Sequence, residues 1–164
     1  MPVPLKTIEF DSLSSVDSAT AADETTYDEE SARLGTITHN IIEKYWNNFS
    51  SHQEEILDKV QLFDGVQREQ VKASLDNFYK SDIYRLLQGG VEHRFKLEFN
   101  RGDKHGFIDF VYFNESRDGW VIVDFKTGQK SREKELNYQS QLDFYEGVVY
   151  TLGYRVVDTM LLWI

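Results

Sequence analysis

The chain has 164 residues, no cysteine, 28 acidic against 18 basic side chains and a formal net charge of −10. The length fits one domain, and the missing cysteine excludes disulfides, Cys-ligated zinc and Cys-held iron–sulfur clusters. The acidity argues against capturing a polyanion by bulk electrostatics, while 40% hydrophobic and 14% aromatic residues supply a core that needs no staples.

The negative charge is unevenly spread. Residues 1–30 hold eight acids, one base (Lys6) and both prolines, and DSLSSVDSATAADETTYDEE within them has almost no large apolar side chain. This stretch reads as an acidic, flexible linker or surface strap, with the domain proper at 31–164. The opening MPVPLKTIEF lacks the basic start and apolar run of a signal peptide, and the closing MLLWI is too short to span a bilayer. The expectation is a cytoplasmic domain with no membrane contact.

From Ser31 the pattern is helical. Leu34, Ile37, Ile41, Ile42, Tyr45, Trp46 and Phe49 recur at three- and four-residue steps. A second helix over QEEILDKVQLF stops near Asp64-Gly65, a third runs about 66–79, and a fourth about 82–87 ends at Gly89-Gly90. After Gly90 the period shifts towards two: VEHRFKLEF, HGFIDFVYF and GWVIVDFKT, separated by the turn sequences NRGDK and NESRDG, read as a three-stranded antiparallel meander. A long helix follows, with Leu136, Tyr138, Leu142, Tyr145, Val149 and Leu152 on one face, and YRVVDTMLLWI closes the chain as a fourth strand. The fold class is α/β, a mixed sheet flanked by helices.

The second hairpin carries the chemistry. If Asn114 pairs with Gly119 around a four-residue loop, Asp109 sits opposite Asp124, and opposed side chains share a face ~5 Å apart. Two carboxylates there repel unless a cation lies between them. Lys126, two residues beyond Asp124, projects from the same face. Placing the first turn at Asn100-Arg101 brings Glu92 opposite Asp109 as well. Clustered carboxylate oxygens suit Mg²⁺ or Mn²⁺, and a lysine beside them can stabilise developing negative charge. The chemistry implied is metal-dependent phosphodiester hydrolysis.

Two further residues converge on it. His39 lies at the edge of the first helix's apolar stripe, and Gln141 lies on the inward side of the long helix beside Tyr138 and Tyr145. Both have an ordinary reading as core-edge polar groups with satisfied bonds; the functional reading of Gln141 and the tyrosines is a groove edge contacting DNA. His52, His93 and His105 show no ligand spacing.

GTITHNIIE, GFIDFV, VIVDFKTG and YQSQLDFY, in this order, resemble the RecB-type nuclease domain of the PD-(D/E)xK superfamily, on the AddA/RecB side. The resemblance covers about residues 33–164. It implies a metal held by His39, Asp109, Asp124 and the carbonyl of Phe125, with Lys126 assisting hydrolysis and Glu92 opening a strand of the site. It also implies an exonuclease acting at DNA ends, attached to a helicase region of the same chain and a partner subunit in double-strand-break repair. The AddB branch holds an iron–sulfur cluster through four cysteines, which this chain lacks. A self-standing nuclease of phage or mobile-element type, and an inactive module that guides DNA or docks partners, are the alternatives.

Overall fold

The structure is a computed structural model that describes residues 26–60 and 65–164. They divide into two compact units, one helical, running to Gly90, and one built on a sheet, Val91–Trp163.

The helical unit comprises α1 (Thr26–Tyr45), α2 (Phe49–Asp58), α3 (Gly65–Tyr79) and α4 (Asp82–Gln88). Thr38, Ile41 and Ile42 on α1 and Val71, Leu75 and Phe78 on α3 are buried at helical spacing, and the two helices pack together. The expected first helix is two. It breaks after Tyr45 at Asn47-Asn48, residues that favour turns, and Phe49 opens α2 with its ring stacked 5.3 Å from Tyr79. Helix α1 starts at Thr26, not Ser31, so residues 26–30 belong to it. Glu29 and Glu30 suit the start of a helix because its N-terminus is the positive end of the dipole. The strap read over residues 1–25 lies outside the described residues. Helix α2 ends at Asp58, short of the expected stop near Asp64.

The sheet unit follows the expected order: β1 (His93–Arg101), β2 (Lys104–Asn114), β3 (Gly119–Lys126), α5 (Arg132–Thr151) and β4 (Val156–Trp163). Strands β1, β2 and β3 form the antiparallel meander, and β4 pairs parallel to β3, with α5 as the crossover that a parallel pair requires. Apart from Lys126, every residue of β3 is buried, which is why it reads as a continuous apolar run. Ser131 caps α5 by accepting the Lys134 N–H at 3.2 Å. Leu142, Tyr145, Val148 and Val149 of α5 then pack on Leu97, Phe99, Val111, Trp120 and Ile122. Each such side chain contributes roughly 1.5–3 kcal/mol. Leu136, expected on that buried face, is 63% exposed, because the buried positions of α5 begin at Leu142.

Turn chemistry decides the two hairpins. Asn114 pairs with Gly119 as expected, and the Asn114 side chain braces the loop by accepting from Ser116 Oγ at 2.8 Å and the Arg117 N–H at 3.2 Å. The first hairpin differs. Arg101 pairs with Lys104 around Gly102-Asp103, and Gly102 takes φ +64° at the first central position, as a type II′ turn demands. The register is therefore displaced from the expected one. Glu92 lies beside Phe113, whose N–H it bonds through its carbonyl at 2.9 Å, and not opposite Asp109.

One pair is missing inside the first hairpin. Between Phe95↔Phe110 and Leu97↔Ile108 stand Lys96 and Asp109, and Lys96 adopts φ +49°. Strand periodicity would place Phe95 and Leu97 on the same face. Yet the Phe95 ring packs with His93 and Phe110, whereas Leu97, Phe99 and Ile108 belong to the cluster under α5. The alternation restarts at Lys96 and Asp109. A non-glycine residue in the left-handed region costs roughly 1–2 kcal/mol.

Candidate active site

The register of the second hairpin, carried one step past Phe110↔Val123, sets Asp109 across from Asp124. The two carboxyl groups are close enough for each to act on the ionisation of the other. Asp109 Oδ2 also accepts the backbone N–H of Phe125 at 2.9 Å, so a side chain takes the donor at the point where the ladder ends. Asp124 is only 3% exposed. Lys126 Nζ stands 2.9 Å from Asp124 Oδ2, donates to Gln141 Oε1 at 3.1 Å, and lies 4.0 Å above the Tyr138 ring. Tyr138 in turn rests against Trp163, the β4 partner of Lys126 in the parallel ladder. Chain geometry keeps these groups together: Gly128, at φ +89°, turns the backbone immediately after β3 towards α5.

Burial dominates the electrostatics of the pair. It pushes the Asp109 carboxyl above the usual carboxylate range, against the opposing pull of its bonds to Asp124 and the Phe125 N–H and the charges of Lys126 and Lys96. Asp124 is pushed up to about 7 by burial first and by the negative charge of Asp109 second, with Lys126 pulling the other way. Two adjacent carboxyls with one lysine cannot both ionise cheaply in a low dielectric. The pair therefore holds a proton to higher pH than ordinary carboxylates do.

A hard divalent cation fits this donor set. Asp124 Oδ2 is a buried oxygen with no aligned hydrogen bond and the Lys126 charge beside it, and the carboxylate oxygens are ligands of the type that Mg²⁺ or Mn²⁺ prefers. Two carboxylates are what the sheet unit offers: among the described residues no group of three or more His, Asp or Glu side chains is gathered to hold a metal ion. His39 is a partly buried residue of α1, in the helical unit. Phe125 is buried, with its N–H engaged by Asp109.

The sheet unit thus brings together Asp109, Asp124, Lys126, Gln141 and Tyr138. It does not bring in Glu92, for the register reason given above, nor Tyr145. Tyr145 is a core residue, 8% exposed, with its ring 5.8 Å from that of Phe99. It cannot line a groove for DNA, since one helical turn past Gln141 the same face of α5 already lies on the sheet. Tyr138 is half-buried under the Lys126 ammonium. A residue that the sequence does not point to stands on the other side of Asp109: Lys96, whose charge bears on that carboxyl. Phe95, Leu97 and Phe99 alternate without a break, so nothing in the residue pattern signals the left-handed backbone at this position.

None of the curated proteins compared with the chain matches it. A family model described as the PD-(D/E)XK nuclease superfamily matches residues 13–162, nearly the whole chain and all of the site above. With that match over most of its length, and with a four-stranded mixed sheet as the scaffold of the site, the chain belongs to the PD-(D/E)XK nuclease superfamily.

Proposed function

We propose that this chain is a Mg²⁺-dependent deoxyribonuclease domain that hydrolyses phosphodiester bonds at DNA ends, with Mn²⁺ able to substitute. The observation that carries the reading is the pairing of half-buried Asp109 with buried Asp124, with Lys126 held beside it. Asp109 and Asp124 would hold the cation, with His39 and the Phe125 carbonyl completing the set that the family resemblance implies. Held there, a divalent cation would supply the activation of a water at neutral pH and the screening of phosphate charge.

The chain's own groups do the rest. The Phe125 N–H orients Asp109, so one carboxylate is aimed before any ligand arrives. Gln141 and Tyr138 fix the Lys126 ammonium, which is positioned to stabilise negative charge developing on a phosphate oxygen. Prior orientation of that kind means little rearrangement during reaction, where much of an enzyme's electrostatic advantage lies.

The RecB/AddA motif order supports placing the domain beside a helicase region of the same chain, with a partner subunit, in double-strand-break repair. The charge balance agrees with that setting. A net charge of −10 gives little counterion-release affinity, whereas a motor that feeds DNA to the site supplies it at high effective concentration. The test is cleavage of end-labelled linear and closed circular DNA by the chain with Mg²⁺, Mn²⁺ or EDTA. Metal-dependent loss of linear DNA that spares the circle is the expected result. Cleavage that persists in EDTA, or absence of cleavage with either metal, contradicts the proposal.

A further inference from the structure

Lys96 is an odd residue for its place. At φ +49° the backbone favours glycine, or asparagine among residues with side chains, and lysine has no short polar group to compensate. The position is not a turn: it lies inside β1, between two regular pairs, where the ladder skips one rung opposite Asp109. A glycine would produce the same reversal of faces with less strain. The fold alone therefore does not account for a lysine here. Strained residues of this kind cluster where a side chain or backbone serves a site, and the inference runs from the outlier to the function.

The surroundings say which function. Lys96 is exposed, in contrast to the sheltered Lys126, and its charge reaches the Asp109 carboxyl. An acidic pair that must accept a polyanionic strand needs positive charge nearby that solvent can reach. We infer that Lys96 is a substrate-positioning residue, whose ammonium takes a backbone phosphate of DNA beside Asp109. The inference rests on the nuclease reading above and assigns to it a second cation, supplied by β1.

The test uses the full chain and a short duplex DNA, with Ca²⁺ present to allow binding without turnover. Lys96→Gly relieves the backbone while removing the charge, so the thermal midpoint should rise or hold. DNA affinity should nevertheless fall about tenfold, and the slope of log affinity against log salt should shrink by about one. With Mg²⁺ the same variant should show the loss in KM more than in kcat, and Lys96→Arg should recover most of it. A Lys96→Gly variant that binds and cleaves DNA like the unsubstituted chain overturns the assignment of Lys96 while leaving the nuclease reading intact. An unsubstituted chain that neither binds nor cleaves DNA overturns both.

Discussion

Two lysines flank the acidic pair, and they are held in opposite ways. Lys126 is sheltered at the end of a buried strand, with a carboxylate at 2.9 Å, an amide oxygen at 3.1 Å and an aromatic face at 4.0 Å. Lys96 is exposed on a left-handed backbone, in the gap of a ladder. An ammonium fixed on three sides has already lost its freedom and meets a reacting group without further ordering. One that is exposed to solvent suits capture of a flexible strand. In the function proposed above, Lys126 on β3 orients and Lys96 on β1 captures, with Asp109 on β2 between them.

The largest expected effect comes from the acids both lysines serve. Asp109→Asn and Asp124→Asn should each abolish metal-dependent cleavage while the domain stays folded, because the amides keep the shape of the pair. Without added metal these variants should melt no lower than the parent above about pH 7, since an amide in place of one acid removes the cost of ionising two adjacent carboxyls. Circular dichroism and a gel assay check both halves. A variant retaining near-parental cleavage would break the site assignment.

Next in size is Lys126→Met, which should lower kcat by about two to three powers of ten. Cation affinity should hold or rise, because a positive charge beside Asp124 is gone. Loss of cation binding as complete as in Asp124→Asn would show that Lys126 builds the metal site and does not act on the substrate.

A smaller loss is expected at the groups that hold Lys126. Gln141→Leu should lower kcat by about tenfold with KM and cation affinity little changed, since it frees the ammonium without removing it. If KM rises and kcat holds, Gln141 contacts DNA directly, and the comparison between the two lysines loses one of its supports.

How far the fold and the site are legible in the chain depends on the local chemistry of each turn. NESRDG leaves little choice, because Asn114 braces its own loop, so residue spacing alone is enough to place Asp109 opposite Asp124. NRGDK admits two turns two residues apart, and the glycine at φ +64° settles it in a register that leaves Glu92 out. Gln141 is recognisable as a polar group on an apolar helix face, but its bond to Lys126 depends on where α5 crosses the sheet. Tyr145 carries the same helical signal as Tyr138, and only the sheet beneath decides that one is core and the other is not. Lys96 is invisible in the sequence, since backbone handedness at a lysine leaves no mark on residue periodicity.

The remaining effect is thermodynamic. The folded Asp124 carboxyl titrates near 7, above its ordinary 3.8, so its stabilising contribution is complete below about pH 4 and is lost as pH rises to about 7. In EDTA the parent should therefore lose stability relative to Asp124→Asn between about pH 5 and pH 8, and excess Mg²⁺ should remove that slope. Urea unfolding at both pH values measures it. A parent that gains stability relative to Asp124→Asn over this range would contradict the raised ionisation of Asp124.

The proton that the pair holds also provides the most direct test of the central claim, that Asp109 and Asp124 form one cation site. A divalent cation entering the pair must displace the proton it holds. Calorimetric titration of the full chain with Mn²⁺ in two buffers of different ionisation enthalpy, near pH 6.5, counts the protons released. The expected result is one bound cation with release of up to one proton, fading to none at about pH 9, and lost with either Asp→Asn substitution. Binding that releases no proton near pH 6.5, or that survives both Asp109→Asn and Asp124→Asn, would place the cation elsewhere and contradict the account.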